Sequence, residues 1–267
     1  MNTQNYIHYT ANYLINPTNA LSVNLIGAGG TGCRMLTALA GMNHSLIALG
    51  HPGLHVTLFD GDTIIEANQG RQLFADAEVG LNKAVAMINR TNRFYGTNWK
   101  AVTCAFSKAN MRYIPNKGRA NIYISCVDTV SARFGIAQLL DGFRWDDGTE
   151  RNQPLYWMDL GNARYTGQGI LSTIGAINQP TSKLYKTVAQ LPFMTDEFKE
   201  QLQAQSDDDE PSCSLAEALQ KQDLFINAEL ATLGSALLWR LIREGMTPNR
   251  GFFVNLSDLR VAPIPVG

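Results

Sequence analysis

The run Gly27-Ala28-Gly29-Gly30-Thr31-Gly32 limits this chain more than any other stretch. It follows a short β-prone segment, Ser22-Val23-Asn24-Leu25-Ile26. It opens a stretch from Thr31 to Leu49 whose apolar residues Met35, Leu36, Leu39 and Met42 recur at helical spacing. Glycines in the order G-x-G-x-x-G permit a tight strand-to-helix turn and let backbone N–H groups meet a phosphate at the helix N-terminus. A nucleotide-binding α/β fold is therefore expected. The glycines alone serve nicotinamide and adenine nucleotides equally.

Apolar runs predict strands at 55–59, 101–105, 121–127, 154–160 and 168–177, with helices near 79–88 and 129–140 between them. This alternation predicts a doubly wound, mainly parallel, Rossmann-like sheet with polar residues at the strand ends. Residues 178–213 read differently. Pro180, Pro192 and Pro211 and the acidic run Asp207-Asp208-Asp209-Glu210 predict a flexible crossover-type loop. A helical hairpin over 214–243 and a strand over 251–256 then form a C-terminal extension. Without an internal repeat or a long linker, residues 1–267 are expected to form a single domain.

Composition removes several classes of function. Twenty-two basic residues stand against 23 acidic ones, a formal net charge of -1, so no nucleic-acid surface is expected. Residues 1–20 lack a basic start followed by an apolar core, and no apolar run approaches the roughly 20 residues of a membrane span. A cytoplasmic protein without membrane contact is the expectation. Cys33, Cys104, Cys126 and Cys213 form no C-x-x-C pair, so neither zinc nor a disulfide framework is expected. Cys33 is read as packing on the first helical turn, and Cys104 and Cys126 as inert core thiols.

A second polar block narrows the ligand. Asp60-Gly61-Asp62, Asn68, Arg71-Gln72 and Lys83 place two carboxylates and two cations in a short stretch. These suit a triphosphate with its metal, whereas a nicotinamide cofactor does not call for them. Asp60, at a strand end, is placed to hold ribose hydroxyls. It stands somewhat beyond the roughly 20 residues of the dinucleotide fingerprint.

The stretch from Phe59 through Asp62 and Ile64, then Asn68-Gln69-Gly70-Arg71-Gln72, then Val79-Gly80 and Lys83, resembles the ThiF family. These adenylating enzymes activate the C-terminus of ubiquitin-like proteins, and their pattern reads D-x-D-x-V, S-N-L-x-R-Q, D-x-G-x-x-K. Ala67 and Gln69 replace its serine and leucine. Cys126-Val127-Asp128 with Arg133 resembles the family's C-x-D-x-x-x-x-R element. The resemblance covers about Leu21 to Arg133, more weakly the rest. Gln222-Asp223-Leu224-Phe225-Ile226-Asn227 and the Leu/Ala-rich helix after it resemble the ThiF-like proteins of the PRTRC system.

The resemblance implies ATP and Mg²⁺ and carboxylate adenylation. It further implies a small ubiquitin-like partner, a conjugating-enzyme-like partner and a homodimer. Gly27, Gly29, Gly30, Gly32, Asp60, Asp62, Asn68, Arg71, Gln72 and Lys83 would hold the nucleotide. Arg71 and Lys83 would stabilise transition-state charge, and Asn68 and Gln72 would orient phosphates. Asp128 would hold Mg²⁺ or the approaching terminus. The plainer readings are that Arg71 and Lys83 sit on a solvated face and that Asp128 caps the helix starting at Thr129.

Pro211-Ser212-Cys213-Ser214 resembles the P-x-C-T segment that carries the thioester cysteine of ubiquitin-activating enzymes. Ser214 and Glu217 form a capping box, which puts Cys213 just outside a helix N-terminus, where a thiol pKa falls. The acidic run at 207–210 opposes that shift, and a loop cysteine without a role is the alternative. Two departures stand out. No C-x-x-C zinc pairs are present, and residues 1–20 hold no Arg or Lys, where family members carry a trans-acting arginine. Arg34 is another cation for that role. A nucleotide-binding non-catalytic partner subunit and an NAD-dependent oxidoreductase are the competing readings.

Overall fold

The computed structural model describes residues 5–144, 150–204 and 222–267. In chain order the elements are Tyr6–Tyr9 (β1), Asn12–Ile15 (α1), Leu21–Ile26 (β2), Gly30–Ala48 (α2), Leu54–Phe59 (β3), Lys83–Tyr95 (α3) and Lys100–Val102 (β4). Ile122–Ser125 (β5), Val130–Gly142 (α4), Tyr156–Asn162 (β6), Thr166–Thr173 (β7), Lys186–Thr187 (β8), Met194–Glu197 (α5) and Lys199–Gln203 (α6) follow. Ile226–Glu244 (α7), Met246–Thr247 (β9), Asn249–Asn255 (β10) and Arg260–Pro265 (β11) complete the series.

The main sheet has the order β11-β10-β7-β6-β5-β2-β3-β4. Strands β6, β5, β2, β3 and β4 are mutually parallel. Strands β7, β10 and β11 add in antiparallel fashion at the far side. The doubly wound, mainly parallel α/β fold expected from the alternation is what the chain adopts, and its C-terminal strands extend the same sheet. From β2 the chain passes to β3 on one side and later returns to β5 on the other. That reversal makes the β2/β5 boundary the topological switch point, where open α/β sheets bind ligands.

Strand alternation builds the two faces. Leu21, Val23 and Leu25 of β2 and Leu54, Val56 and Leu58 of β3 are buried with Met35, Leu36 and Leu39 of α2 and Leu230, Leu238 and Leu241 of α7. On the opposite face Ile26, Phe59, Tyr123 and Trp157 join Ile136 and Leu140 of α4 and Phe193. Strand β1 pairs with β8 and β9 in a small separate sheet. His8 links it to the core, with Nδ1 2.7 Å from the Val188 carbonyl oxygen and Nε2 2.9 Å from Tyr156 Oη.

Several element limits differ from expectation. The third helix starts at Lys83 rather than Val79, because Asn82 accepts a hydrogen bond from the Val85 amide and caps it, and Gly96 ends it in the left-handed region. Between residues 178 and 204 the chain is packed rather than loose. Leu191, Phe193, Met194 and Leu202 are buried there, and Phe193 meets the Trp157 ring edge-on at 5.1 Å. Only the second arm of the expected hairpin, α7, lies within the described residues. Among those residues no helix is long and apolar enough to cross a membrane.

Candidate active site

The glycine turn sits at the carboxyl end of β2, against the end of β5. Gly27 has φ +98°, and a Cβ on it would lie 2.6 Å from the Cys126 carbonyl oxygen. Only glycine accepts both the dihedral and that approach. Gly29 borders open space. Helix α2 begins at Gly30 with no side-chain cap and no acidic residue in its first turn. Its leading amides are thus not claimed by a side-chain cap, the arrangement that favours an anion at a helix N-terminus.

Asp60 closes β3 and braces this turn. Its Oδ2 accepts from the Ala28 amide at 2.6 Å and its Oδ1 from the Asp62 amide at 2.8 Å. Burial pushes its carboxyl above the usual range, while the two amides and Lys83 pull it back. Lys83, the first residue of α3, is buried along its stem and donates from Nζ to Asp62 Oδ2 at 2.9 Å. The solvated-face reading of Lys83 is therefore excluded. Asp62 remains exposed.

The segment 68–72 is joined through Arg71 to Gln222, shortly before α7. Asn68 is buried and accepts from the Ile65 amide at 3.0 Å, so it also shapes its own turn. Gln72 is buried with Oε1 lacking a hydrogen-bond partner among the described residues, as does Arg71 Nε. Arg71 donates from Nη1 to Gln222 Oε1 at 2.8 Å. Gln222 Oε1 also accepts from Asn227 Nδ2 at 2.9 Å, and Asn227 Oδ1 accepts from Thr31 Oγ1 at 2.8 Å. This relay ties the arginine to the first turn of α2. A Cβ on Gly30 would lie 2.5 Å from Asn227 Nδ2, so glycine there makes room for the relay. Sequence reasoning had not given Thr31, Gln222 or Asn227 a part in the site. Their signal, an uncharged polar trio spread across the chain, becomes visible only after folding.

Asp128 stands exposed at the end of β5 and makes no hydrogen bond or ion pair among the described residues. It does not cap α4. That part belongs to Thr129, whose Oγ1 accepts from the Ala132 amide at 3.2 Å. Beneath it, Arg133 donates to the Val127 carbonyl at 2.8 Å and lies 3.2 Å from Asp159 Oδ2. Asp159 Oδ1 accepts from Ser125 Oγ at 2.5 Å, and Trp157 Nε1 donates to the same hydroxyl at 2.8 Å. Burial pushes Asp159 up and Arg133 holds it down. This buried network underpins the strand end that presents Asp128.

Cys33 and Cys126 are buried. Burial raises the Cys33 thiol to about 12 and Cys126 well above its ordinary value, so both are poor nucleophiles. Cys104 is only half-buried. Cys213 and its capping box lie outside the described residues. His51 and His55 stand four residues apart on a turn and a strand, and no group of three His, Cys, Asp or Glu among the described residues could hold a metal. Among the described residues the exposed Asp128 carboxylate would suit Mg²⁺, which takes one or two protein carboxylates and completes its shell with substrate phosphates and water.

Comparison with known proteins gives the family and the fold. The model of the ThiF family matches residues 16–220. No curated protein sequence matches the chain. Among solved structures, PaaA superposes with a TM-score of 0.57 at 16% identity, over 92% of this chain and 64% of its own. MccB of E. coli with succinimide gives 0.59 at 14% identity over 96% and 66%, and MccB with ATP gives 0.53 at 17% identity over 96% and 65%. The chain thus spans slightly under two thirds of the length of these proteins, and the likeness is one of fold.

Proposed function

Since the chain belongs to the ThiF family, we propose that it catalyses ATP-dependent adenylation of the C-terminal carboxylate of a small ubiquitin-like protein. The observation that carries this reading is the hydrogen-bonded frame joining the start of α2 to Arg71 through Gln222 and Asn227. In this reading Lys83, at the start of α3, and Asp128, after β5, act with it.

In this reaction a carboxylate oxygen attacks the α-phosphorus. A carboxyl–phosphate anhydride forms, the α–β bridge bond breaks and pyrophosphate leaves. Negative charge grows on the phosphate oxygens and the leaving group, so cations held in place before the reaction lower the barrier. Arg71 and Lys83 fill that part. The free amides of α2 and the side chains of Asn68 and Gln72 orient the phosphates. Asp128 would hold Mg²⁺, which when bound would supply charge neutralisation for the phosphates. In a second step the Cys213 thiolate attacks the acyl carbon, a thioester forms and AMP departs. A conjugating-enzyme-like protein then accepts the acyl group. The working unit in this reading is a homodimer of a single-domain protein, and the C-terminal likeness groups it with the PRTRC proteins.

Residues 1–20 contain no Arg or Lys. This favours one second reading, a nucleotide-binding subunit that completes its site only with an active partner. Exchange of labelled pyrophosphate into ATP, with Mg²⁺ and the ubiquitin-like protein, separates the two. The purified homomer is expected to exchange. Tight ATP binding without exchange would overturn the enzyme reading in favour of the partner subunit. Binding of NADH in preference to ATP would overturn both. Cys213→Ala is expected to keep exchange and to lose any reducible adduct.

A further inference from the structure

A second cavity lies over β2, β3 and β4 on the face of the sheet opposite α2. Its volume is about 600 Å³, within the roughly 300–1,000 Å³ typical of small-molecule sites. Ser22 and Asn24 of β2 and His55 and Thr57 of β3 line its floor. The cavity's far end, at Ser22, lies five residues and roughly 16 Å along β2 from Gly27, and its near end is Phe59, whose carbonyl accepts from the Gly27 amide.

The floor departs from what a parallel sheet requires. Such sheets are normally covered by helices on both faces and carry apolar residues on both. On the α2 side these strands obey the rule, with Leu21, Val23, Leu54 and Val56 all buried. On the opposite side the alternate positions 22, 24, 55 and 57 are polar, and apolar packing resumes only at Ile26 and Phe59. Asn24 Nδ2 donates to the Gly118 carbonyl at 2.9 Å and pins the 115–118 segment as a wall. The space is thus built polar and kept open.

Its charge is of one sign. Lys100, Arg119 and Arg151 line it, and no Asp or Glu among the described residues does. The Arg119 guanidinium lies over the Phe143 ring at 5.7 Å, which restricts its position. Lys100 and Arg151 form no ion pair among the described residues. In a protein with a net charge of -1, Lys100 and Arg151 beside one concave polar floor concentrate positive potential there. Burial and the charges of Lys100 and Arg151 all hold the His55 pKa below its ordinary value. An anion between these groups would reverse the electrostatic part of that effect.

The geometry points to this cavity as a second ligand site that takes a small phosphorylated molecule with at least two negative charges. Arginine matches phosphate oxygens with a planar fork and lysine adds a point charge, while neutral Asn and Ser side chains complete the contacts. The site stands apart from adenylation and does not rest on that reading.

The test follows the His55 ring resonances by NMR while inorganic phosphate or tripolyphosphate is added at constant ionic strength, with His55→Gln providing the assignment. Both anions are expected to shift His55 saturably and to raise its titration midpoint. Tripolyphosphate should bind at least tenfold tighter than phosphate. Lys100→Glu with Arg151→Glu, two changes at exposed side chains, should weaken binding at least tenfold without changing the melting temperature. Arg71→Ala should leave the His55 response intact. An unresponsive His55, or a response unchanged by the double charge reversal, would overturn the proposal.

Discussion

Arg71 gains its definition from a residue 151 positions away, Gln222. A charge-assisted hydrogen bond of this kind contributes about 1.5–3 kcal/mol. Gln222→Ala is therefore expected to lower the melting temperature through the lost bond and, by releasing Arg71, to raise KM for ATP in pyrophosphate exchange about tenfold. A fall in melting temperature with normal KM would assign Gln222 to stability alone. Asp128 and Thr129 offer a sharper contrast, since neighbours divide two tasks between them. Asp128→Asn should lower exchange and leave urea denaturation as it was. Thr129→Ala should cost about 1 kcal/mol of stability through the lost N-cap and leave KM near normal. Lys83 and Asp128 were legible in the sequence as motif residues. That Asp62 would hold Lys83, and that Thr129 would relieve Asp128 of capping, required the folded chain.

The turn from β5 into α4 depends on a charge pair that neither element supplies alone. Arg133 comes from α4 and Asp159 from β6, both buried, with Ser125 and Trp157 satisfying the carboxylate's other oxygen and the shared hydroxyl. Removing one member of such a pair strands a buried charge and costs about 3–5 kcal/mol. Arg133→Met should show that loss in urea titrations, and Arg133→Met with Asp159→Leu should regain most of it. Equal destabilisation by the single and double variants would show that the pair is not the cause. Elements with strong periodicity, such as α2 and β2, were read from sequence nearly to their ends. Strands β1, β8 and β9 were missed because strands of two to four residues carry too little alternation to register. The start of α3 was misplaced because its cap, Asn82, follows apolar residues that belong to the preceding turn.

For the molecule as a whole, protonation should link the small sheet to the large one. Burial lowers the pKa of His8, His51 and His55, with neighbouring cations adding to the effect on the latter two. Below the unfolded value of about 6.5 the unfolded chain binds protons that these folded imidazoles refuse, so stability falls on acidification. Asp60 and Asp159 are raised and act with the opposite sign, in the carboxylate range below that window. Urea midpoints are expected to drop between pH 7.5 and pH 5.5, and less steeply in His8→Gln. A midpoint that rises toward pH 5.5 would contradict the histidine assignment.

The α/β class, the glycine turn between β2 and α2 and the motif residues of a ThiF-family protein were all readable along the chain. They rest on local rules: glycine dihedrals, hydrophobic period and short-range spacing. The support of Arg71 by Gln222, the bracing of Gly27 and Ala28 by Cys126 and Asp60, and the basic cavity beneath β2 and β3 were not. Each joins residues distant in sequence that share no pattern, and their proximity follows from strand order and the packing of α7 on α2. Local preference chooses the elements, while burial of a common core chooses which of their polar groups meet.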